Sequence, residues 1–352
     1  MSRLHLYNPA NDLALGLGCR NYTPPPNAAS LQRAGALLPL WWAGESDCVL
    51  APGAGTAGVS SLKALYGLNG NPVSEARGSD MRPDPWGWSA DTVRIFTSAG
   101  VDPALLPSET DIAAMRMLSH RRTSISMLRE MGRVDLLPLE TSDPQEAVEM
   151  ERRYPGCYIK SPWSGSGRGV FCAGGLAPEI LASKAAGIIH RQGSVMVERG
   201  MKEKQADFAM LFHISGGEAR YRGISMFLTE NRGMYSGNIV APQEWIFSRL
   251  AAMAGRGNLE ETARSAAEAL GKIAGHKYEG WAGVDMMVCQ GGMIHPCIEV
   301  NLRRTMGVVA MDVASRLRPS RPGLMAWRRG APVGLTLLPP AEGWALCLSP
   351  LE

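Results

Sequence analysis

The sequence predicts an α/β protein that contains two or three packed units. The chain has 352 residues, which exceeds one typical domain of about 100–200 residues. Short apolar runs typical of strands alternate with helical patterns up to about residue 112, which favours an α/β unit there. Later apolar runs are joined by glycine pairs, and such turns are typical of antiparallel hairpins.

Composition and charge exclude several classes of protein. Hydrophobic residues make up 45% of the chain and charged residues 20%, as in ordinary globular proteins. No run of about 18 apolar residues occurs, so we expect no membrane-spanning segment and no membrane partner. The formal net charge is +3, and the basic residues form no long stripe. We therefore expect no nucleic-acid partner.

The cysteines and the first residues indicate a compartment. The seven cysteines include no Cys-x-x-Cys pair, which argues against a disulfide framework or a zinc ribbon. The opening MSRLHLYNPANDLAL lacks the apolar core and the small-residue cleavage site of a signal peptide. We therefore expect a cytoplasmic protein with reduced cysteines.

Turn and cap residues predict the elements of the first unit. LHLY predicts a short strand, and turn formers between Asn8 and Asp12 follow it. A proline-rich segment predicts the start of a helix near Asn27. CVLAPG predicts a buried strand that ends at Gly53.

Two helices and a pair of strands are predicted next. One helix runs from about Asp111 to Gly132, where glycine favours a left-handed cap. Ser142 or Asp143 as the cap and Pro144 as the first residue predict a second helix over DPQEAVEMERRY. The strand CYIK, a glycine-rich turn, the strand GVFCAGG and the helix PEILASKAAGIIHRQG follow.

The remaining chain is predicted to contain hairpins. SVMVERG, DFAMLFHI and ARYRGISMFL predict strands, and ISGGEA is a hairpin signal. LEETARSAAEALGKIAGH has the apolar spacing of a packed helix. The turn QGG separates two further strands, WAGVDMMVC and MIHPCIEVN. The segment after Arg318 is rich in proline and glycine and receives no assignment.

A glycine-rich turn is the first candidate binding feature. Gly165, Gly167 and Gly169 lie in YIKSPWSGSGRGVFC, and glycine lets backbone N–H groups approach an anion. The turn is neither a Walker loop nor a dinucleotide fingerprint, because no Gly-Lys-Ser/Thr and no helix follow it. Lys160 ends the preceding strand, where its ammonium could meet a phosphate. The alternative is a flexible surface hairpin.

The second candidate feature is a set of oxygen ligands near the C-terminus. Glu299 and Asn301 are two residues apart on a predicted strand, so their side chains share a face. Asp285 lies on the preceding strand of the same hairpin and could reach that face. Two carboxylates and an amide suit magnesium. The alternative is an edge strand that exposes polar residues to water.

The residues around this set favour magnesium over zinc. Arg303 and Arg304 follow directly, and metal and arginine together stabilise charge on a transferred phosphoryl group. His295 and Cys297 lie nearby, but a lone histidine and a lone cysteine at this spacing indicate packing more often than zinc.

In their order and spacing these residues resemble the ATP-grasp superfamily. Its pattern is a lysine-bearing strand with a glycine-rich loop, an acidic hinge strand and a late Asp…Glu-x-Asn set, and the likeness covers roughly residues 112–318. The resemblance implies a Rossmann-like pre-grasp domain over 1–112 and a two-lobed ATP-grasp domain with mainly antiparallel sheets. Its lobes would span 113–195 and 196–318, and the packing of the tail over 319–352 stays open.

The resemblance implies a role for each matching residue. Lys160 would bind the α- and β-phosphates of ATP, and Asp207 would hold the ribose. Asp285, Glu299 and Asn301 would hold Mg²⁺. The loop that closes over the triphosphate would contain Ser164, Gly165, Ser166, Gly167 and Gly169, and the adenine hinge would run from Glu198 to Met201.

Arginines complete the set that the resemblance implies. Arg121 or Arg122 stands where many members have a lysine before the lysine strand, and an arginine keeps the charge. Arg303 or Arg304 would face the transferred phosphate. Arg220 and Arg222 are two apart on a predicted strand and would bind a substrate carboxylate or the γ-phosphate, although either could equally be a solvated strand residue.

The implied activity is an ATP- and Mg²⁺-dependent ligase that forms a carbon–nitrogen bond. A small-molecule or peptide-like carboxylate would attack the γ-phosphate, and an amine or other nucleophile would displace the resulting acylphosphate. Two alternatives stay open: a small-molecule kinase on the same fold, and an ATP-binding regulator without turnover. The two substrates and the oligomeric state, a homodimer included, also stay open.

Overall fold

The computed structural model describes residues 2–53, 58–78, 80–165, 169–201, 203–230 and 234–351, and its strands form three sheets. The first sheet is parallel, with the order β3-β2-β1-β4. Its strands are β1 (Arg3–Leu6), β2 (Cys48–Leu50), β3 (Asn71–Val73) and β4 (Arg82–Pro85), and its helices are α1 (Asn11–Leu17), α2 (Pro26–Ala34), α3 (Val59–Tyr66) and α4 (Ala90–Ser98).

Alternation along β1 places apolar side chains in the core of this first unit. Leu4 and Leu6 are buried against Phe96 of α4. On the other side of the sheet, Val49 packs with Trp41 in a core that also includes residues from the C-terminal part of the chain. The first unit therefore packs against the rest of the protein through a shared apolar core.

The second sheet is antiparallel, with the order β5-β8-β6-β7. Its strands are β5 (Leu139–Thr141), β6 (Tyr158–Lys160), β7 (Val170–Cys172) and β8 (Val195–Glu198), and helices α7 (Pro144–Arg153) and α8 (Pro178–Gln192) pack on it. Helices α5 (Glu109–Leu118) and α6 (Thr123–Glu130) precede this sheet in the chain and pack in the core of the third sheet. Ile159 packs against α7 and α8, whereas Lys160 faces away from this core. Strand β8 runs to Glu198, so this sheet extends past the boundary expected at residue 195.

The third sheet has eight strands in the order β13-β12-β9-β10-β11-β14-β16-β15. They are β9 (Ala206–Ser215), β10 (Glu218–Thr229), β11 (Tyr235–Val240), β12 (Gly280–Val288), β13 (Ile294–Asn301), β14 (Gly323–Arg329), β15 (Leu335–Thr336) and β16 (Trp344–Pro350). The proline- and glycine-rich tail therefore contributes the last three strands. Its Leu337 and Leu346 pack with Trp41 of the first unit.

The two faces of the third sheet have different roles. Helices α9 (Gln243–Ala254) and α10 (Arg256–Ala274) cover the face of Phe208, Met210 and Phe212. Helix α11 (Met306–Leu317) covers part of the opposite face, which carries Ala209 and Leu211. Asp285 pairs with Ala209 in the register, so its side chain belongs to the face of α11.

Short 3₁₀ helices lie at Leu38–Trp41, Pro103–Leu105, Val134–Leu136, Gly275–Lys277 and Gln290–Gly292. The last of these forms the turn that QGG predicts between β12 and β13. Across the described ranges, no helix combines the length and the apolar character needed to cross a bilayer.

Helix α11 begins two residues after Arg304. The capping role of Thr305 at its N-terminus gives a prediction about stability. The Oγ1 of Thr305 accepts a hydrogen bond from the Val308 N–H at 3.4 Å. Substituting Thr305→Ala removes this cap, and we expect the free energy of unfolding to fall by about 1 kcal/mol. Urea denaturation measures the loss. Thr305→Ser, which keeps the hydroxyl, should retain most of the stability, and equal losses in the two variants would contradict the capping role.

Candidate functional site

A cavity of about 520 Å³ opens between the end of β8 and strand β13. Glu198 and Met201, the two ends of the predicted hinge, both contribute to its wall. Half of the lining residues are polar or charged, and the other half are apolar residues or glycine. The full lining is Asp135, Leu136, Glu198, Arg199, Gly200, Met201, Cys289, Gln290, Met293 and His295.

Lys160 lies beside this cavity and forms a buried ion pair. Its Nζ contacts Oε2 of Glu198, and the two side chains are 8% and 11% exposed. The antiparallel register brings the charges together, because β6 and β8 are neighbours and Lys160 is opposite Met196. A buried ammonium requires such a partner. The structure thus brings the predicted phosphate ligand to the edge of the predicted hinge.

Arg121 connects the glycine-rich turn to the predicted metal set. Its Nε donates to the Ser161 carbonyl oxygen at 3.0 Å, and one terminal nitrogen donates to Oγ of Ser164 at 2.9 Å. The other terminal nitrogen lies 2.9 Å from Oε2 of Glu299. Arg122 points elsewhere, to Glu140, and its side chain is 45% exposed. Of the two predicted arginines, Arg121 is therefore the one in the site.

The base of the glycine-rich turn is narrow. The Ser161 N–H donates to the Gly169 carbonyl oxygen at 2.8 Å. Gly169 has a φ of +73°, and a Cβ there would lie 2.7 Å from Oγ of Ser161, so a glycine is required. Gly165 lies at the other end of the turn. The predicted loop residues Ser166 and Gly167 lie outside the described residues.

The predicted metal ligands lie together on the face of the third sheet that carries α11. Asp285 is opposite Glu299 in the register, and Asn301 Nδ2 donates to Oδ2 of Asp285 at 3.0 Å. Burial, and then the charge of Glu299, raise the pKa of Asp285 to about 7. Hard oxygen donors of this kind fit Mg²⁺. In the described part of the chain, no group of three or more His, Cys, Asp and Glu side chains could hold a metal ion. A metal site here would therefore need the amide of Asn301 as well as the two carboxylates.

Arg303 extends this set towards the first unit. Its Nε lies 2.8 and 3.0 Å from the two carboxylate oxygens of Asp12, and a terminal nitrogen donates to Oδ1 of Asn301 at 2.9 Å. A Cβ at Gly165 would lie 3.3 Å from Oδ2 of Asp12, so this carboxylate lies beside the glycine-rich turn. Sequence reasoning identified Asp12 only as a turn former. Its place after the first parallel strand was an available signal, because ligands bind at such strand ends.

Arg304 points away from this group. It lies over the Trp42 ring at 4.3 Å, with Asp84 at 3.5 Å and Asp312 at 3.9 Å. Its side chain is 6% exposed. Arg304 therefore connects the third sheet to the first unit through its contacts with Trp42 and Asp84. Arg303 is the arginine that lies beside the metal set.

Two of the predicted arginines occupy other positions. Arg220 forms an ion pair with Glu218 at 3.0 Å and is 71% exposed. The charge of Arg222 helps to lower the pKa of His213, after the larger effect of burial. Both arginines lie near the far end of β9, because Arg220 is opposite His213 in the register.

Asp207 is engaged at the opposite end of β9. Its Oδ2 lies 2.6 Å from Lys204 Nζ and accepts a hydrogen bond from Thr229 Oγ1 at 2.7 Å. The structure therefore does not bring Arg220 or Arg222 into the group around Glu299. Asp207, which the resemblance assigns to the ribose, lies near the cavity, because its charge, after the larger effect of burial, raises the pKa of Cys289 in the cavity wall.

Asp312 gives a pH-dependent prediction. Burial raises its pKa to about 6, and its side chain is 25% exposed. Because this value lies above that of an unfolded aspartate, about 3.9, the native state binds the proton more tightly, and this stabilisation is lost as the pH rises from about 4 to 6. Asp312→Asn should therefore raise the free energy of unfolding at pH 7 by about 2 kcal/mol and change it little near pH 4.

Urea denaturation at the two pH values measures this difference. Glu268→Gln is a matched control, because Glu268 is exposed on α10. A gain at pH 7 that persists unchanged at pH 4 would show that Asp312 is not the titrating group.

Comparisons with known proteins identify the fold. No protein-family model and no curated protein matches the chain. Among solved structures, it is similar to the biotin carboxylase of Campylobacter jejuni, with a TM-score of 0.54 and 14% identity over 96% of this chain and 78% of that one. An ATP-grasp superfamily protein of Archaeoglobus fulgidus gives a TM-score of 0.50 and 12% identity, with all of both chains covered.

A third similar structure is a biotin carboxylase domain of Hydrogenobacter thermophilus. It gives a TM-score of 0.49 and 14% identity over 78% of this chain, which spans 62% of that domain. At such low identities the likeness concerns the fold. The match along the whole length of the Archaeoglobus protein confirms the fold that the motifs predict. The chain has the ATP-grasp fold.

Proposed function

We propose that this protein is an ATP- and Mg²⁺-dependent ligase that activates a carboxylate as an acylphosphate. The observation that carries the proposal is the position of Arg121. A single buried guanidinium contacts Ser164 at the start of the glycine-rich turn and Glu299 of the predicted metal set. This arrangement suits a triphosphate bound between the turn and the metal, where charge neutralisation is needed.

The nucleotide would bind along a line from the cavity to Arg303. The base would occupy the cavity at Glu198 and Met201, and the phosphates would pass Lys160 and Arg121. The Campylobacter jejuni biotin carboxylase, which shares the fold, was solved as a β,γ-ATP complex. That similarity supports ATP as the nucleotide.

Asp285, Glu299 and Asn301 would hold magnesium next to the phosphates. When bound, the metal supplies charge neutralisation at the phosphoryl group. Arg303 lies beside Asn301 and would face the same group. Asp12 orients Arg303 by contacting its Nε through both carboxylate oxygens.

The proposed reaction needs no protein nucleophile. A carboxylate oxygen of the substrate attacks the γ-phosphorus, and the bond to the β-phosphate oxygen breaks to release ADP. The nitrogen of an amine then attacks the acyl carbon, inorganic phosphate leaves, and the amine loses a proton. Lys160, Arg121 and Arg303 would bind and orient the charged groups in both steps, and positioning of this kind supplies much of the catalysis.

Trapping with hydroxylamine tests the proposal. The protein is incubated with Mg²⁺, ATP, hydroxylamine and a panel of carboxylic acids and short peptides, and ADP and hydroxamate are measured. A ligase of this type gives equal amounts of both, because hydroxylamine replaces the natural amine at the acylphosphate. ADP with a stable phosphorylated acceptor and no hydroxamate would instead identify a kinase. No ADP with any acceptor would favour an ATP-binding regulator.

A further inference from the structure

A second cavity, of about 400 Å³, lies between helix α8 and the base of the glycine-rich turn. Two of its lining residues, Phe171 and Ile188, also pack in the apolar core that Ile159 forms with α7 and α8. Lys160 follows Ile159 on β6 and faces away from that core. The cavity therefore lies on the opposite side of the second sheet from the ammonium of Lys160.

Two cations and no carboxylate line this cavity. Lys184 and Arg191 are about two helical turns apart on α8, so their side chains lie on one face of the helix. Neither side chain makes an ion pair or a hydrogen bond with a residue in the described ranges. The single acidic residue of α8, Glu179, lies in its first turn. The cavity therefore has uncompensated positive charge, which attracts an anion.

Gly187 and Phe171 shape the space between the two cations. Gly187 lies between Lys184 and Arg191 on the same helical face, and the lack of a side chain there leaves room for a ligand. The ammonium of Lys184 lies 4.9 Å from the centre of the Phe171 ring. Phe171 and Ile188 provide the apolar part of the lining. A ligand with an anionic group and an apolar group would match both parts of this wall.

Ser161 adds a hydroxyl group to the cavity, and the residue is only 8% exposed. Its N–H donates to the Gly169 carbonyl oxygen, and its carbonyl oxygen accepts from Nε of Arg121, so both backbone groups are engaged. Its Oγ makes no hydrogen bond with a described residue. A Cβ at Gly169, which also lines the cavity, would lie 2.7 Å from this Oγ. The hydroxyl is therefore available to donate to an oxygen of a bound anion.

We propose that this cavity binds an organic phosphate. Lys184, Arg191 and Ser161 bind the phosphate group, and Phe171 and Ile188 contact the organic part. A phosphate monoester carries a charge of about −1.5 to −2 at pH 7 and three acceptor oxygens, which match two cations and a hydroxyl. A carboxylate has one charge and two oxygens, so it matches this set less well. The inference does not rest on the proposed function, because binding on the α8 side of the sheet needs neither ATP nor Mg²⁺.

Calorimetry with phenyl phosphate, inorganic phosphate and benzoate tests the class of ligand. Phenyl phosphate combines the phosphate with a flat apolar group, and we expect it to bind about tenfold more tightly than either of the others. Inorganic phosphate lacks the apolar group, and benzoate lacks the second charge. Benzoate binding as tight as that of phenyl phosphate would overturn the assignment to phosphate. If the wild type does not bind phenyl phosphate, the inference is wrong.

Two variants locate the binding in this cavity. The double variant Lys184→Gln, Arg191→Gln removes both charges and should weaken phenyl phosphate binding by more than about tenfold. Gly187→Leu keeps both charges but fills the space between them, and we expect a loss of about tenfold. A Cβ at Gly187 would lie 3.5 Å from a terminal nitrogen of Arg191, which is an ordinary contact. Leucine also favours a helix more than glycine does, so this variant should fold.

The control is the double variant Arg249→Gln, Lys272→Gln. It removes the same charge from exposed positions on α9 and α10, and it should retain the wild-type affinity for phenyl phosphate. An equal loss in the control and in Lys184→Gln, Arg191→Gln would show that binding follows the net charge of the protein, which overturns the site. Wild-type affinity in the Lys184, Arg191 variant or in Gly187→Leu would show that phenyl phosphate binds elsewhere.

Discussion

Replacing Glu299 with glutamine is expected to lower ADP formation about a thousandfold and to remove the Mg²⁺ dependence of ATP binding. Glu299 is one of the two carboxylates of the predicted set, and it lies opposite Asp285 in the register. A metal at transferring phosphoryl groups supplies several kcal/mol, and a thousandfold corresponds to about 4 kcal/mol. The amide keeps the shape of the side chain but not its charge.

Calorimetry with and without Mg²⁺ measures the binding part of this prediction. The double variant Glu299→Ala, Asn301→Ala should show the same loss, because it removes the amide as well as the carboxylate. Glu260→Gln is the control, since Glu260 is exposed on α10. If Glu299→Gln binds ATP with the wild-type dependence on Mg²⁺, Glu299 is not a metal ligand.

The position of the predicted metal set could be read from local spacing. A strand alternates its faces every residue, so Glu299 and Asn301 had to share one, and the QGG turn had to bring β12 alongside β13. Lys160 and Glu198 also lie on strands that the apolar pattern predicts. These features depend on neighbours in sequence, and therefore a single sequence is sufficient to predict them.

Other features depend on packing between distant segments. Asp12 meets Arg303 across 291 residues of chain, and no periodicity in either segment indicates that contact. The tail provides β14–β16 because its apolar residues find a core formed by Trp41 and its neighbours. Arg303 and Arg304 follow the end of β13, and only the fold determines that Arg303 contacts Asn301 while Arg304 lies over Trp42.

Each cation that we assign to the phosphates of ATP is already paired with a carboxylate. Lys160 contacts Glu198, Arg121 contacts Glu299, and Arg303 contacts Asp12. Nucleotide and metal would therefore exchange partners with these pairs rather than enter a site of free charges. The exchange is most direct at Arg121, because its carboxylate partner is also a predicted metal ligand.

Arg121→Ala is accordingly expected to have opposite effects on the two ligands. ATP binding should weaken by about a hundredfold, because hydrogen bonds to charged groups contribute about 1.5–3 kcal/mol each. Binding of Mg²⁺ alone should strengthen, because Glu299 no longer has the guanidinium as a partner at 2.9 Å. The uncompensated carboxylates should also lower the stability of the variant without metal.

Urea denaturation with and without Mg²⁺ measures the second effect in the absence of nucleotide. The variant should gain more stability from Mg²⁺ than the wild type, since at a given concentration a ligand stabilises a protein more when it binds the native state more tightly. Arg122→Ala is the matched control, because Arg122 is the adjacent arginine and pairs with Glu140 outside the site. If Arg121→Ala loses ATP affinity without any gain in Mg²⁺ binding, Arg121 binds phosphate but does not compete with the metal for Glu299.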